Sequence, residues 1–588
     1  MHTIHRLTTA LSALVLFAVT LSSHPSEDYQ PGPDSKPQDG VPKGEEIHYT
    51  FENSKIFPGT TRQVWIYVPK QYDGVTPACL HVNQDGKQFL ATTVFDNLIA
   101  KKEMPVTIGV FVTPGVLKAA DPEKALDRFN RCVEYDGLSD AYVRFLLDEL
   151  LPDIETHKTT DGRAIKLSKN GNDRAIAGSS SGAICAFTAA WHRPDAFQRV
   201  FTCVGTFVDQ RGGNVYPALV RKMEAKPIRI FLQDGSHDGN GAGGSWFLAN
   251  QEMLMALEFA GYEANHMWGD GGHDGKHATA IFPDAVRWLW KDWPKPVAKG
   301  VNSKQITARI LIPGEEWQVV SEGHGFTEGP AANAAGEVFF TDIPKDRIHK
   351  IGLDGKVTVF AENTNHANGL AFGPDGKLYA CQDGKRRIVA YDRDAKETVI
   401  AEDVNSNDIV VNNAGGIYFT DPPKKQIWYI PPGGEKRVVD KTDKDGPTFP
   451  NGIRLTPDQS LLVVADTRGQ FCWSYRIEKD GALSNKQYFH YLHIPDGITD
   501  SAADGMTFDD AGRMYVATRM GIQLCDQAGR HNGIISKPQD KWLANVVFGG
   551  KDFDELYACC SDKVYKRKTK VKGLRSYEAP FKTKPPAL

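Results

Sequence analysis

Three consecutive serines stand in "IAGSSSGA", residues 176–183, and only one of them has a glycine two places before and two places after it. Ser180 lies between Gly178 and Gly182 in the frame G-x-S-x-G, which a serine on a sharp strand-to-helix turn requires because the backbones on either side pack closely. The flanks fit that turn: "RAIA" reads as a buried strand, and "GAICAFTAAWHRPDAF" begins with the small residues of a helix packed beneath it. A serine hydroxyl is a weak nucleophile, so acyl transfer needs an imidazole to take its proton and a carboxylate to fix the imidazole tautomer. Both follow in the order serine, acid, histidine. "RIFLQDGSHDGNG" offers Asp234 and Asp238 after a strand, and "MWGDGGHDGKH" offers His273 and His277. Asp238 and His273 are the preferred pair, with Asp234 as the alternative acid. The spacing of "HDGKH" does not read as a zinc site, because Gly275 opposes a helix there and no third ligand stands nearby.

A second group of oxygen-bearing residues lies in the other half of the chain: Glu328 in "FTEGP", Asn407 in "NSND", Asn451 in "FPNGI" and Asp504 in "SAADGM". Singly, each reads as a turn. As a set of carboxylates and carboxamides they suit a hard cation such as Ca²⁺ better than a metal that favours imidazole or thiolate.

The elements that must position these residues differ between the halves. From Glu45 to Pro294, strand-like runs such as "RQVWIYVP", "VTIGVFV" and "PIRIFLQD" alternate with helical stretches such as "DAYVRFLLDELLPDIE", which predicts a mostly parallel sheet covered on both faces. "DWPKPVAKGVNSKQITARI" then reads as a linker, over 295–312. From 313 to 580 a turn-plus-strand phrase recurs at roughly 40 to 50 residue intervals. Its copies are "GEVFFTD", "GKLYACQ", "GGIYFTD", "QSLLVVAD", "GRMYVAT" and "DELYACC". That period is what a four-stranded propeller blade requires, so the phrase predicts a six-bladed β-propeller whose axial funnel can gather the oxygen ligands.

At the other end, residues 1–23 combine Arg6 with an apolar run too short to span a bilayer, the pattern of a signal peptide. This predicts export to the periplasm or medium, with no membrane attachment after cleavage. Residues 24–44 are rich in Pro, Gly and charge and read as a flexible leader. Of 588 residues, 41% are hydrophobic and 24% charged, which is globular material too long for one core. The 69 basic side chains against 73 acidic ones, net −4, give no electrostatic case for nucleic acid or an anionic membrane. Nine cysteines are too sparse for a disulfide scaffold and read mostly as small apolar residues, with one or two bridges expected at most.

Taken together, "RQVWIYVPKQYD", "HVNQDG", "EYDGLSDAYVRFLLDELLPDIE", "GSSSG", "GSHD" and "GGH" make residues 45–293 resemble the α/β-hydrolase family that includes carbohydrate esterase family one and the enterochelin esterases. The resemblance implies Asp238 as the acid and His273 as the base. It also implies oxyanion donors from the backbone of Ser181 and of the stretch Gln84, Asp85 and Gly86. Similarly "EGP", "ND", "PNGI", "ADGM", "YFTDP" and "FGG" make residues 314–566 resemble the gluconolactonase and senescence marker protein family. That resemblance implies Glu328, Asn451 and Asp504 as metal ligands, Asn407 reaching metal or substrate, and Asp504 as general base. Sugar-lactonase members often carry Arg-Pro before the Asn-Asp, where Asn405 and Ser406 stand here, so lactone hydrolysis is implied more firmly than gluconolactone itself. The expected function is an exported two-site hydrolase acting on small-molecule or carbohydrate esters and lactones; the alternative keeps the esterase and makes the propeller a binding or docking module.

Overall fold

A computed structural model describes residues 28–441 and 445–586 of the chain. The signal-peptide reading of residues 1–23 therefore lies outside the described residues. The amino-terminal half is built on an eight-stranded sheet, in the spatial order Glu45–Phe51, Arg62–Val68, Thr107–Val112, Cys79–Gln84, Arg174–Ser179, Arg199–Cys203, Arg229–Gly235 and Glu263–Gly269. The first two strands and their junction with Thr107–Val112 are antiparallel, and every later pairing is parallel. The central strands are buried along almost their whole length because both of their faces are covered. Helices Ala91–Ala100 and Lys276–Trp290 pack one face through Phe95, Phe282 and Trp290. Helices Ser181–His192, Tyr216–Lys222 and Trp246–Ala260 pack the other through Phe187, Tyr216 and Leu257. All parallel strands thus end on one edge of the sheet, and the loops at that edge carry Ser180, Asp238 and His273.

The carboxy-terminal half is a six-bladed β-propeller of four-stranded antiparallel sheets. Its last blade joins strand Gln318–Glu322, from the start of the domain, to three strands from its end, Leu543–Gly549, Glu555–Cys560 and Lys563–Lys568. That pairing closes the ring. Apolar clusters lie between neighbouring blades rather than in one central core, which leaves the axis free for polar side chains.

Two segments depart from expectation. Residues 28–44 are not a loose leader. The Tyr29 ring stacks on His277 at 4.1 Å and its hydroxyl donates to Asp270 Oδ1 at 2.8 Å, while Asn97 Nδ2 donates to the carbonyls of Asp34 and Lys36. The Asp34 carboxylate pairs with Lys101 and Arg287. A segment with few apolar residues is here held by polar contacts, which composition does not register. The expected linker is likewise embedded. Gln305 is buried and donates to the Arg221 carbonyl at 3.1 Å, and Ile310 and Leu311 enter the propeller's apolar core. The halves also touch directly, through a bridge between Met223 and Ile534 and an ion pair between Glu224 and Arg567 at 2.9 Å. All nine cysteines are free thiols, eight of them buried, and the one or two bridges for which the sequence left room are not formed. No helix among the described residues is long and apolar enough to cross a membrane.

Candidate active sites

Strand Arg174–Ser179 runs into helix Ser181–His192 through Ser180, whose backbone sits at φ 57° and ψ −119°. A non-glycine residue in that region is strained, and the surroundings must hold it. The two glycines make this possible. A Cβ on Gly178 would stand 2.3 Å from the Gly182 carbonyl oxygen, and one on Gly182 would stand 2.8 Å from Asp85 Oδ2. No side chain fits at either place, so the strand, the turn and the 84–86 loop are pressed together around Ser180.

The Ser180 hydroxyl lies 2.8 Å from His273 Nε2, and His273 Nδ1 lies 2.6 Å from Asp238 Oδ1. Asp238 is buried, whereas His273 stays part-exposed on its loop. Sequence reasoning left Asp234 as a rival acid. It is instead a second carboxyl behind the first: fully buried, it accepts from Asn250 Nδ2 at 2.8 Å and from the Gly235 amide at 2.7 Å. Burial, with the neighbouring Asp238 charge, raises its pKa to about 9, so it keeps its proton and donates it toward Asp238. Burial works against the Asp238 carboxylate too, but the hydrogen bonds from His273 and Asp234 outweigh it and hold Asp238 below its usual range. One carboxyl is neutral and the other charged, each because of its partner. His277, the other histidine of the loop, faces Gln233 at 3.1 Å and Tyr29, away from this line.

Sequence reasoning missed the groups that frame Ser180. Thr206 Oγ1 stands 3.3 Å from Ser180 Oγ and accepts from Trp246 Nε1 at 3.2 Å, and the Trp246 ring meets His273 edge to face at 5.6 Å. Arg131 grips Asp85 with two hydrogen bonds of 2.7 and 2.8 Å and donates to the Ser179 carbonyl at 3.1 Å, tying the 84–86 loop to the serine turn. Of the three residues expected to supply oxyanion donors on that loop, Gly86 does not: its amide is committed to the Val112 carbonyl at 3.0 Å. The Asp85 amide makes only a 3.3 Å contact with the Tyr135 hydroxyl, and Gln84 lies buried beside it. Ser181 is buried at the first turn of the 12-residue helix, where backbone amides point at an anion.

Because Asp234 is neutral when folded and ionised when unfolded at neutral pH, the folded state binds the extra proton. Its contribution to stability is therefore complete below its unfolded pKa and is lost as pH rises through the folded one. Asp234→Asn keeps a donor toward Asp238 and cannot ionise. The variant is expected to retain ester hydrolysis at pH 7 within about tenfold, since each pH-independent hydrogen bond is worth roughly 1 kcal/mol. Its melting temperature should fall less than that of the parent between pH 7 and 10, which thermal denaturation across that range measures.

In the propeller, one residue per blade stands at the same place at or just before the start of the innermost strand. The order around the axis is Glu328, Asn368, Asn407, Asn451, Asp504 and Ala544. The register follows from neighbouring blades: the Gly369 amide donates to the Asn407 carbonyl at 2.9 Å and the Gly505 amide to the Ala544 carbonyl at 2.8 Å. In the same way a Cβ on Gly329 or Gly452 would strike the Asn368 or Asp504 carbonyl, at 2.0 and 2.2 Å. The four residues singled out in the sequence thus share one ring. Asn368, in "HANGLAF", was missed although its Asn-Gly repeats the pattern of Asn451 and Gly452.

The next residue of each inner strand is glycine in four blades, but Asp408 and Asn545 in the others. Their side chains fill the axis where glycines leave room. Asn545 Nδ2 donates to Glu328 Oε2 at 2.9 Å, and Asp408 Oδ2 lies 3.4 Å from Arg454 Nη1. Asn451 donates to Thr467 Oγ1 at 3.0 Å, and Trp542 Nε1 donates to Asp504 Oδ2 at 2.9 Å. Burial, then the Asp408 charge, lifts Glu328 to about 7; burial, then Glu328, drives Asp504 well above the carboxylate range. Three buried carboxyls whose charges oppose one another, with Arg454 as the cation beside Asp408, form a site that gains from a positive ion. Its donors are all oxygen, which fits a hard divalent cation. Beside it a cavity of about 290 Å³ is lined by Thr518, Arg519, Lys537, Asp540 and Trp542, with Arg519 over the Trp542 ring at 5.5 Å.

Residues 54–307 match the family model described as "Putative esterase", and residues 326–561 match that of the SMP-30/Gluconolactonase/LRE-like region. Over 305 residues the chain is 26% identical to a gluconolactonase of Zymomonas mobilis, covering 45% of this chain and 84% of that protein. Over 243 residues it is 28% identical to an iron(III) enterobactin esterase of Dickeya dadantii, covering 39% of this chain and 51% of the relative, so it spans about half the length of that esterase. Among solved structures, a gluconolactonase of Xanthomonas campestris aligns with 45% of this chain and 92% of its own, at 24% identity and a TM-score of 0.39.

Proposed function

We propose that the chain is a two-site carboxylic ester hydrolase, with a Ser–His–Asp esterase of the α/β-hydrolase fold in its first half and a cation-assisted lactonase in its propeller. The observation that carries the reading is the unbroken line Ser180 Oγ, His273, Asp238 at 2.8 and 2.6 Å, mounted on a strained strand-to-helix turn. A hydroxyl in that setting hands its proton to His273 as it attacks an ester carbonyl, and the same proton leaves with the alcohol. Asp238 holds Nδ1–H toward itself and stabilises the imidazolium. The Ser181 amide, at the start of its helix, receives the developing oxyanion, a donor worth about 10²- to 10³-fold in rate. Water then releases the acyl group from Ser180 by the same route in reverse.

For the propeller, Glu328, Asn451 and Asp504 are the residues that would hold a cation, with Asn407 on the same ring toward substrate. A divalent cation such as Ca²⁺ bound there would supply polarisation of a lactone carbonyl. Asp504 is the group to take a proton from the attacking water, its Oδ2 held in position by Trp542. The crowding of Glu328, Asp408 and Asp504 favours this reading over a docking module, which has no need of three buried acids on the axis. We read the chain as exported, on the apolar run of residues 1–23, with small carbohydrate or phenolic esters and lactones as the substrate class.

Chelation separates the two chemistries. EDTA is expected to leave p-nitrophenyl acetate hydrolysis within twofold of its starting rate and to abolish lactone opening, with Ca²⁺ restoring the latter. Loss of both activities on chelation, or of neither, counts against the assignment. A screen of acetyl, feruloyl, glucuronoyl and lactone substrates then narrows the class.

A further inference from the structure

The first blade carries a second cluster of chemically active side chains, away from the axial ring. His324, Asp342 and His349 bring one ligand atom each within 4.8 Å of one another. Asp342 sits where two other blades carry Asp421 and Asp466, and in all three its carboxylate accepts backbone amides of the loop leading to the inner strand. That part is structural and repeats. The imidazoles do not. In strand register, His349 opposite Phe340 takes the place that Trp428 holds opposite Phe419 and Trp473 opposite Val464.

Each ring is set for a ligand. His324 Nδ1 lies 3.1 Å from Asp342 Oδ2, while its Nε2 lies 2.6 Å from Ser321 Oγ. With Nδ1 free to coordinate, Nε2–H donates to the serine, the outer contact that fixes tautomer and ring orientation in imidazole metal sites. Asp342 Oδ1 is held by the Gly325 amide at 3.0 Å, which leaves Oδ2 facing the imidazoles. His349 stacks on Phe340, and its Nε2 is buried with no hydrogen-bond partner. A histidine with an orphaned ring nitrogen, grouped within 4.8 Å with a histidine–carboxylate pair, is a ready third ligand. Four-coordinate zinc, with bonds of about 2.0 to 2.1 Å, needs ligand atoms about 3.3 Å apart. The His324–Asp342 edge is already at 3.1 Å, and the wider edges close by rotation of the side chains. Lys345 Nζ comes within 4.0 Å of Asp342 Oδ2 and donates to the Gly323 carbonyl; its chain is half exposed, so a bound cation displaces it toward solvent.

The geometry points to a second metal site, formed by His324, Asp342 and His349 with Ser321 behind it, that takes Zn²⁺ or a similar transition ion rather than Ca²⁺. Two nitrogen donors and one oxygen select such an ion. Its place in the fold suggests its effect. Ser321 belongs to the strand that closes the propeller ring, and the His324 amide donates to the Asp562 carbonyl from the far end of the domain at 3.1 Å. Asp342 and His349 belong to the first blade. A metal here fastens the closing strand to the blade that follows it.

The test uses the full-length protein stripped of metal, the Glu328→Gln variant to disable the axial ring, and Glu328→Gln with His349→Trp, a side chain this strand position accommodates in two other blades. After dialysis against Zn²⁺ and then metal-free buffer, Glu328→Gln is expected to retain one equivalent of zinc by mass spectrometry. Its Co²⁺ form should show the strong visible absorption of a four-coordinate ion, and zinc should raise its melting temperature. The double variant, folded by circular dichroism, should lose all three. Absence of retained zinc in Glu328→Gln, or its retention after His349→Trp, would overturn the site and leave a metal-free Ser–His–Asp clamp. Because both variants compared carry Glu328→Gln, neither result depends on whether the axial ring is catalytic.

Discussion

Ser180→Ala is expected to lower kcat for p-nitrophenyl ester hydrolysis by roughly 10⁴- to 10⁶-fold while leaving the melting temperature within about 2 °C of the parent. The loss is large because the hydroxyl is the only atom that forms a bond to the acyl group. What remains is the oxyanion pocket and substrate binding. Stability is spared because the hydrogen-bond partners of Ser180 Oγ among the described residues are His273 and, at 3.3 Å, Thr206, both at the sheet's open edge. Alanine adopts the same backbone as readily as serine, so the turn between Gly178 and Gly182 is kept. The triad acts as a unit, so His273→Ala added to Ser180→Ala should cost almost nothing further. Lactone opening should be untouched by either change. Steady-state kinetics on both substrates and one thermal scan read all of this. Full esterase activity in Ser180→Ala would exclude the serine as nucleophile.

How far the sequence reveals such a site depends on what kind of constraint each residue answers. Gly178 and Gly182 are legible because a Cβ at the first would strike the Gly182 backbone and one at the second the clamped Asp85 carboxylate, so the frame picks one serine of three. The choice between Asp234 and Asp238 is not legible. They stand four residues apart, at the end of one strand and just beyond it, and they separate only through Asn250 and Gly235, which satisfy one carboxyl from behind and leave the other facing the histidine. Arg131, Thr206 and Trp246 carry no local signature at all. They reach the serine turn from three separate segments, Arg131 and Trp246 from the first turns of two helices and Thr206 from the loop after a strand, and a pattern read along the chain cannot see groups assembled across it.

The propeller shows the same division. Its period of turn and strand is local and announces six blades. Ring position is partly local, since Asn-Gly and Asp-Gly recur where neighbouring inner strands nearly touch, and Asn368 was recoverable on that ground. Asp408 and Asn545 were not, because they stand where the repeat otherwise has glycine, and a departure from a repeat is visible only after the blades are superposed. Composition misled in the leader and the linker for one physical reason. Low apolar content predicts mobility when a segment must hold itself by burial. Residues 28–44 are held by the side chains of Asn97 and Arg287 on helices that already have cores, and residues 295–312 by their own Gln305, which donates to the Arg221 carbonyl of such a helix.

Asp504→Asn should separate stability from function in the propeller. It is expected to reduce lactone opening by about 10³-fold or more, the order of a lost general base together with a weakened cation site. In metal-free buffer at pH 8, however, the variant should melt at or above the temperature of the parent. The sign follows from the acids themselves. Burial and mutual repulsion raise Glu328 and Asp504 above their unfolded values, so the folded state prefers them protonated, and that part of its stability is lost as pH rises through the raised values. Asparagine removes one of the interacting charges and still accepts the Trp542 hydrogen bond through its side-chain oxygen. A cation reverses the balance: by binding only the folded ring, Ca²⁺ stabilises the parent in proportion to the logarithm of its concentration over Kd, and Asp504→Asn should gain much less from it. Melting temperatures of both proteins, in EDTA and in millimolar Ca²⁺, give four values that must order as variant at or above parent without the ion and parent above variant with it. A variant that melts below the parent in EDTA, yet gains as much from Ca²⁺, would mean that Asp504 is a packing residue and that the cation binds elsewhere. A strained, self-repelling cluster kept at the axis against its own stability is what a binding site for positive charge requires, and a purely structural axis has no reason to retain it.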